Sequence, residues 1–289
     1  MRLLLAGCLA LVLIVVAIPI QANESWVLYD DFNGTPLEFL LGKPIDPGNW
    51  VPTASDTTRI YDYAREIRWN KLHLLNRTYG FSNLGSSTST SVRLQFPPNL
   101  APLITAMQAT VTVTSFEVSG GGTVGIEFLP SRIRGGRLSG FFFNDIDPNY
   151  GRNYNAGDIL AAIYIEGLSD SPQTLRVVAH VEHCFDDDAF CNNSNVIFKG
   201  DLGTIRAGET ARLAIQWDSV KGQFLFQRGY TQALYPYPYT GNVSESYNPA
   251  KRIDVSHRAV SNGTGEVPVA AMDVLVDDVC VNASALSAP

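Results

Sequence analysis

The residues best able to do chemistry lie in two stretches of the second half of the chain. The first is His180-Val181-Glu182-His183-Cys184, followed by Asp186-Asp187-Asp188 and then Cys191. Imidazole, carboxylate and thiol groups this close together could bind zinc if they converged. On an extended strand, however, His180 and Glu182 point to one side and Val181 and His183 to the other, so joint chelation by the two histidines would need a bend or bulge. The three aspartates could offer oxygens to Ca²⁺ or could simply be solvated. In an oxidising compartment, Cys184 and Cys191 could close a small loop over Phe-Asp-Asp-Asp-Ala-Phe. Cys280, in an apolar run, reads as a buried free thiol.

The second stretch runs from Tyr230 to Tyr247. Tyr230, Tyr235, Tyr237, Tyr239 and Tyr247 are interleaved with Pro236 and Pro238, which favour extended backbone and stiffly held rings. Sugars offer apolar C–H faces to such rings and need amides for their hydroxyls, which Gln232, Asn242 and Asn248 could supply. The plainer reading is that these tyrosines cover a sheet edge. A third aromatic run, Phe141-Phe142-Phe143, reads as one strand buried on both sides.

Positioning any of these groups falls to β-strands, because helical periodicity is scarce. Runs of five to nine residues rich in Val, Ile, Phe, Thr and Tyr recur, separated by Gly, Pro, Asn and Asp. They include Ile67 to Leu75, Met107 to Phe116, Thr123 to Phe128, Arg137 to Asn144, Ile159 to Glu166 and Val269 to Val281. Trp217-Asp218-Ser-Val-Lys-Gly222 reads as a hairpin turn between two strands. About ten to thirteen strands without helical interludes predict antiparallel sheets packed face to face.

Bulk properties narrow the partners. The chain opens with Met-Arg and an uncharged run from Leu3 to Ala22, which predicts a signal peptide over residues 1–22 and a single domain over 23–289. The run could just cross a bilayer if kept as an anchor, but Pro19 interrupts the helix and favours cleavage, leaving no membrane span. The expected location is therefore outside the cytoplasm: secreted, periplasmic or on the cell envelope. Against 21 Lys and Arg stand 28 Asp and Glu, a net charge of −7, and loss of Arg2 with the signal makes it −8. An acidic chain without basic clusters argues against nucleic acid and anionic membranes. Seven Asn-x-Ser/Thr sequons, at Asn23, Asn33, Asn76, Asn192, Asn242, Asn262 and Asn282, would matter only in a eukaryotic secretory route.

Three segments resemble the concanavalin A-like jelly roll shared by laminarinases, laminin-G-like modules and legume lectins. Leu28-Tyr-Asp-Asp-Phe-Asn-Gly-Thr35, with Asp46 and Asn49-Trp50, is similar to the opening strand of secreted members. Ala211 to Phe226 resembles an internal strand pair, and Met272-Asp-Val-Leu-Val-Asp-Asp-Val-Cys-Val281 resembles the final strand. The resemblance implies an all-β, two-sheet antiparallel jelly-roll sandwich whose terminal strands lie side by side. It also implies a structural Ca²⁺ held by Asp31, the carbonyl of Gly34, and Asp277 or Asp278; the alternative is that these carboxylates accept turn hydrogen bonds or pair with cations. Laminarinase-type members carry Glu-x-Asp-x-x-Glu or a one-residue variant on one strand, and this sequence lacks it. No nucleophile elbow or phosphate loop appears either. The expectation is a non-catalytic β-sandwich that binds glycan or another cell-surface component through Tyr230, Tyr235, Tyr237, Tyr239 and Asn242. The alternatives are an adhesive surface protein without a small ligand, or a polysaccharide-active enzyme with an unrecognised site.

Overall fold

The structure, a computed structural model, describes residues 25–41, 43–55, 61–83, 86–145, 156–185, 194–238, 244–246 and 249–287. Alternating apolar and polar residues dominate it, and the backbone accordingly pleats into strands. In chain order these are β1 (Trp26–Asp30), β2 (Val51–Ser55), β3 (Tyr61–Arg68), β4 (Lys71–Tyr79), β5 (Ser87–Gln95) and β6 (Ala106–Val118). There follow β7 (Gly121–Val124), β8 (Glu127–Pro130), β9 (Arg132–Asn144), β10 (Asp158–Leu168), β11 (Leu175–Cys184) and β12 (Ser194–Ile205). The last are β13 (Thr210–Asp218), β14 (Gln223–Arg228), β15 (Thr231–Pro236), β16 (Lys251–Val260) and β17 (Val269–Asn282).

Two large antiparallel sheets result. One has the order β15-β14-β13-β6-β17-β4-β3, with β1 added alongside β17. The other has the order β12-β11-β10-β9-β16-β5-β2, and β7 and β8 form a separate two-stranded hairpin. Their inner faces share one apolar core, in which Leu74, Val111, Ile163, Val177, Ile215 and Val274 are fully buried. This is the all-β, two-sheet antiparallel jelly-roll sandwich that the sequence predicts. Among the described residues no helix is long and apolar enough to cross a membrane.

The two ends of the sandwich meet as expected: Trp26 pairs with Asn282 and Asp30 with Val279. Asp30 is a structural tie. Its Oδ1 accepts the Phe32 N–H at 2.7 Å, holding Phe32 at φ 54°, and its Oδ2 accepts the indole N–H of Trp50 at 2.8 Å. Phe32 and Trp50, both almost fully buried, stack with ring centroids 6.1 Å apart.

Several strand bounds differ from expectation. Ile67 to Leu75 is not one strand but the end of β3, a two-residue turn at Trp69-Asn70, and the start of β4. Both turn residues have positive φ, which suits Asn but not Trp, so the apolar pattern runs through the turn unmarked. Thr123 to Phe128 likewise folds back on itself as β7 and β8 around Gly125-Ile126. Strand β9 begins five residues before the predicted Arg137, and that difference carries the functional site. Trp217 to Gly222 does form the expected hairpin, with Asp218 Oδ1 accepting the Val220 and Lys221 N–H groups.

Candidate functional site

The expected residues separate into several places. Asp31 and the pair Asp277-Asp278 lie at the same end of the β1–β17 pair. Asp31 accepts both the backbone and side-chain N–H of Asn33, at 3.0 and 2.7 Å, which keep its carboxyl below the usual range. Asp277 pairs with the Lys71 ammonium at 3.0 Å, and Asp278 sits at φ 47° with its N–H on Asp277. Gly34 donates its N–H to Asn70, and the Lys43 ammonium bonds the adjacent Asn33 carbonyl. Two ammonium groups beside the Asp31 and Asp277 carboxylates, both already engaged, are poor company for Ca²⁺, and among the described residues no three His, Cys, Asp or Glu converge on a metal position. The donors as arranged do not fit that ion.

The tyrosine platform is dispersed. Tyr237 is 7% exposed, wedged against Phe143 and Trp217, with its hydroxyl donating to Asp145 Oδ2 at 2.7 Å; it is a core residue, not an open sugar face. Tyr235 stacks on Phe198 at 4.8 Å. Tyr230 is fully exposed at the β14–β15 turn. The prolines that stiffen this segment also let the inner rings pack under the sheet edge. Tyr239, Asn242, Tyr247 and Asn248 lie outside the described residues.

In the histidine cluster, His180 and His183 take opposite faces of β11. Cys184, buried at the end of that strand, is not among the free thiols, whereas Cys280 is free and buried. Cys191 and Asp186 to Asp188 lie outside the described residues. Phe141 faces outward into a small apolar cluster with Leu160, Tyr164 and Val178, while a bulge turns both Phe142 and Phe143 inward. Two of the sequon asparagines, Asn76 and Asn282, are buried; Asn33 and Asn262 are exposed.

The strongest assembly of polar chemistry lies on the outer face of the seven-stranded sheet. Strand alternation sends Ile133, Leu138, Ile253, Val255, Val92 and Leu94 into the core, so Arg132, Arg134 and Arg137 of β9, Arg252, Asp254 and Arg258 of β16, and Arg93 of β5 face outward. Register places them in rows across the strands. Arg258 stands opposite Arg132; Ser91, Ser256, Arg134 and Glu166 form the next row; Arg93, Asp254 and Arg137 form a third. An extra residue in β9 at Gly135-Gly136, with Gly136 at φ 55°, keeps Arg137 on the same face as Arg134.

Contacts within the face are dense but incomplete. Arg134 Nε donates to Glu166 Oε1 at 3.2 Å, and its guanidinium lies 4.4 Å over the Tyr164 ring. The Tyr164 hydroxyl is 3.0 Å from His180 Nδ1. Asp254 Oδ2 is 3.2 Å from Arg252 Nε and 3.7 Å from an Arg137 nitrogen, close enough for charge attraction but off the line a hydrogen bond needs. Of ten buried side-chain polar atoms without a hydrogen-bond partner among the described residues, six are here: Arg137 Nε, Arg258 Nε, Glu166 Oε2, His180 Nε2 and both Asp254 oxygens. Glu182 Oε1 lies 3.1 Å from that His180 nitrogen, again off line. Burial, reinforced by Arg137 and Arg134, keeps His180 far below its ordinary pKa and hence neutral. Burial together with Arg134 and Arg258 pushes the Arg132 guanidinium down to about 9, still charged at neutral pH.

A depression opens at one end of this face, lined by Ser89, Ser91, Arg93, Arg132 and Ser256. Hydroxyls and guanidinium groups together give it donors and acceptors suited to a polar ligand. The signal for this site was present in the sequence. Arg132-Ile-Arg134-Gly-Gly-Arg137 has the spacing of the missing Glu-x-Asp-x-x-Glu, with arginine at all three positions. A search for carboxylates alone passes over it.

A jelly-roll sandwich with a polar outer sheet face is thus the class that fold and site define. No protein family matches the sequence, and no curated protein matches it closely enough to count. Among solved structures, the chain is similar to SCLam, a non-specific endo-β-1,3(4)-glucanase from family GH16, with a TM-score of 0.42 and 11% identity over 89% of this chain and 90% of that one. It is also similar to a GlcNAcα1-4Gal-releasing endo-β-galactosidase from Clostridium perfringens, with a TM-score of 0.39 and 9% identity over 87% of this chain. The match spans only 61% of that longer enzyme. Alginate lyase Aly36B, in complex with an alginate tetrasaccharide, gives a TM-score of 0.37 and 12% identity over 79% of this chain and 86% of that one.

Proposed function

We propose that this chain is an exported, non-catalytic carbohydrate-binding sandwich whose ligand lies across the outer face of the seven-stranded sheet. The observation that carries this reading is the open polar depression on that face, where the hydroxyls of Ser89, Ser91 and Ser256 stand beside the Arg93 and Arg132 guanidinium groups. Such groups present both donors and acceptors, and a ligand that carries both can take the place of the water on them. Sugar hydroxyls supply both. A Cys184–Cys191 bridge and cleavage after residue 22 belong to the same reading, as features of an oxidising compartment.

A glycan array probed with the full mature chain tests this. Saturable binding is expected, abolished by Ser256→Trp, which fills the depression, and unchanged by Tyr230→Ala at the far hairpin. Binding that survives Ser256→Trp but fails on Tyr235→Ala would move the site to the tyrosine edge. Release of soluble sugars from any polysaccharide would overturn the non-catalytic reading.

A further inference from the structure

A glycan lying on this face, as proposed above, would meet a guanidinium group in nearly every row. Across β5, β16, β9 and β10 six arginines stand against two carboxylates, Glu166 and Asp254, with Glu182 a third on the next strand, β11, an excess of positive charge in a chain whose net charge is −7. Glu166 and Asp254 engage only Arg134, Arg137 and Arg252. Among the described residues no carboxylate lies within ion-pair distance of Arg93, Arg132 or Arg258. Two of these, Arg93 and Arg132, line the depression beside Ser89, Ser91 and Ser256. Arg258 stands opposite Arg132 on the neighbouring strand.

We propose that the ligand is an anionic polysaccharide, bearing carboxylate or sulfate groups, gripped chiefly by Arg93, Arg132 and Arg258. The dependence on glycan binding at this face is inherited from the preceding section; the charge of the glycan is the new element. Clustered, half-buried guanidinium groups repel one another and lose hydration, and an arriving anion relieves both penalties. Arginine suits the task better than lysine because its planar fork holds two anion oxygens at once and is weakly hydrated. Neighbouring strands are about 4.8 Å apart, close to the length of one sugar along an extended chain. A glycan running across β5, β16 and β9 would therefore bring successive sugars to successive strands, with serine hydroxyls between the charged rows. The acidic remainder of the surface confines anion binding to this face.

The test is calorimetric titration of the mature chain with polygalacturonate, a sulfated galactan and a neutral β-glucan of similar length. Binding to at least one anionic glycan is expected, the two arms showing which group is preferred, with affinity falling about tenfold or more between low and moderate salt. Arg132→Gln and Arg258→Gln should each weaken binding about tenfold, while Arg206→Gln, on an exposed turn, should not. Arg132→Lys should retain part of the affinity, which shows that a lost charge and not a lost fold is responsible. Equal or better binding of the neutral glucan, still abolished by Ser256→Trp, would keep the site and overturn the anionic ligand. Binding indifferent to salt and to both arginine substitutions would overturn it as well. If no glycan binds at all, the carbohydrate reading itself falls.

Discussion

Asp254 is the residue whose removal most directly probes the balance of the arginine face. It is 1% exposed, between Arg252 at 3.2 Å and Arg137 at 3.7 Å, whose side chains are themselves only 17% and 12% exposed. At an effective dielectric of about 20, one pair at that separation is worth about 5 kcal/mol and the other about 4 kcal/mol before desolvation is subtracted. Burying the carboxylate costs several kcal/mol of that gain. Asp254→Asn removes the attraction, leaves two desolvated guanidinium groups without a counter-charge, and adds Arg93 of the same row to the repulsion. The expected loss is about 3 kcal/mol, at the low end of what breaking a buried pair costs, because a neutral amide is less costly to bury than the carboxylate it replaces.

Urea denaturation at neutral pH reads that loss as a lower midpoint with an unchanged slope. Repeating it at rising salt adds a sign test. Anions that screen or occupy the face should narrow the gap between variant and wild type, since the penalty is repulsion between cations. The same variant should bind polygalacturonate more tightly than wild type despite being less stable. Asp254→Asn that is as stable as wild type at low salt, or whose deficit is indifferent to salt, would refute the claim that the face carries uncompensated positive charge.

Other parts of the molecule make independent predictions. His73, bonded through both ring nitrogens to Asp273 at 2.9 Å and Glu66 at 3.0 Å, has its pKa raised, chiefly by Asp273. Its contribution is therefore full below the unfolded value of about 6.5 and is lost as pH rises through the raised folded value; unfolding free energies from pH 5 to 9 should show this decline in wild type and not in His73→Gln. Gly136→Ala forces a side chain into φ 55° and brings its Cβ to 2.3 Å from Val111, so we expect a loss of about 2 kcal/mol or more, with weakened glycan binding as Arg137 is displaced. Asp30→Ala leaves the buried Trp50 indole N–H unpaired and should cost about 3 kcal/mol, against about 1 kcal/mol for Asp30→Asn. EDTA should leave the melting temperature of the mature chain unmoved, because Asp31 and Asp277 already have partners; a fall of several degrees would restore Ca²⁺ to the β1–β17 end.

Much of the fold was legible because strand alternation and turn residues repeat the same message. Asp30-Asp31 and Asp277-Asp278 correctly point to adjacent terminal strands, although their chemistry is that of turns, an indole hydrogen bond and an ion pair with Lys71. The unread parts share a cause. The Trp69-Asn70 turn carries an aromatic where a glycine would have announced it. The prolines around Tyr237 show that the segment is extended but not which side of it meets the core. Tyr237 hence reads as an open platform when its hydroxyl is in fact satisfied by Asp145.

The site was hidden for a different reason. Charge counted over the whole chain is acidic, yet strand alternation sorts side chains by face, and a face can oppose the sum. Arg132, Arg134 and Arg137 are separated by one residue and then by two, which on a regular strand would put Arg137 on the other side. Only the added residue at Gly135-Gly136, visible as a shift in register against β10, returns it to the row with Asp254. Arg252, Asp254 and Arg258 come from a strand more than a hundred residues later, beside β9 only because β16 crosses between β9 and β5. Beyond the Arg132-Arg134-Arg137 run, a basic face of this kind has no linear signature, since each strand contributes one to three charges and the sandwich topology makes them one surface. The same topology fixes its weakness: the third row depends on the bulge, so the backbone conformation of one glycine governs whether Arg137 stands beside Asp254.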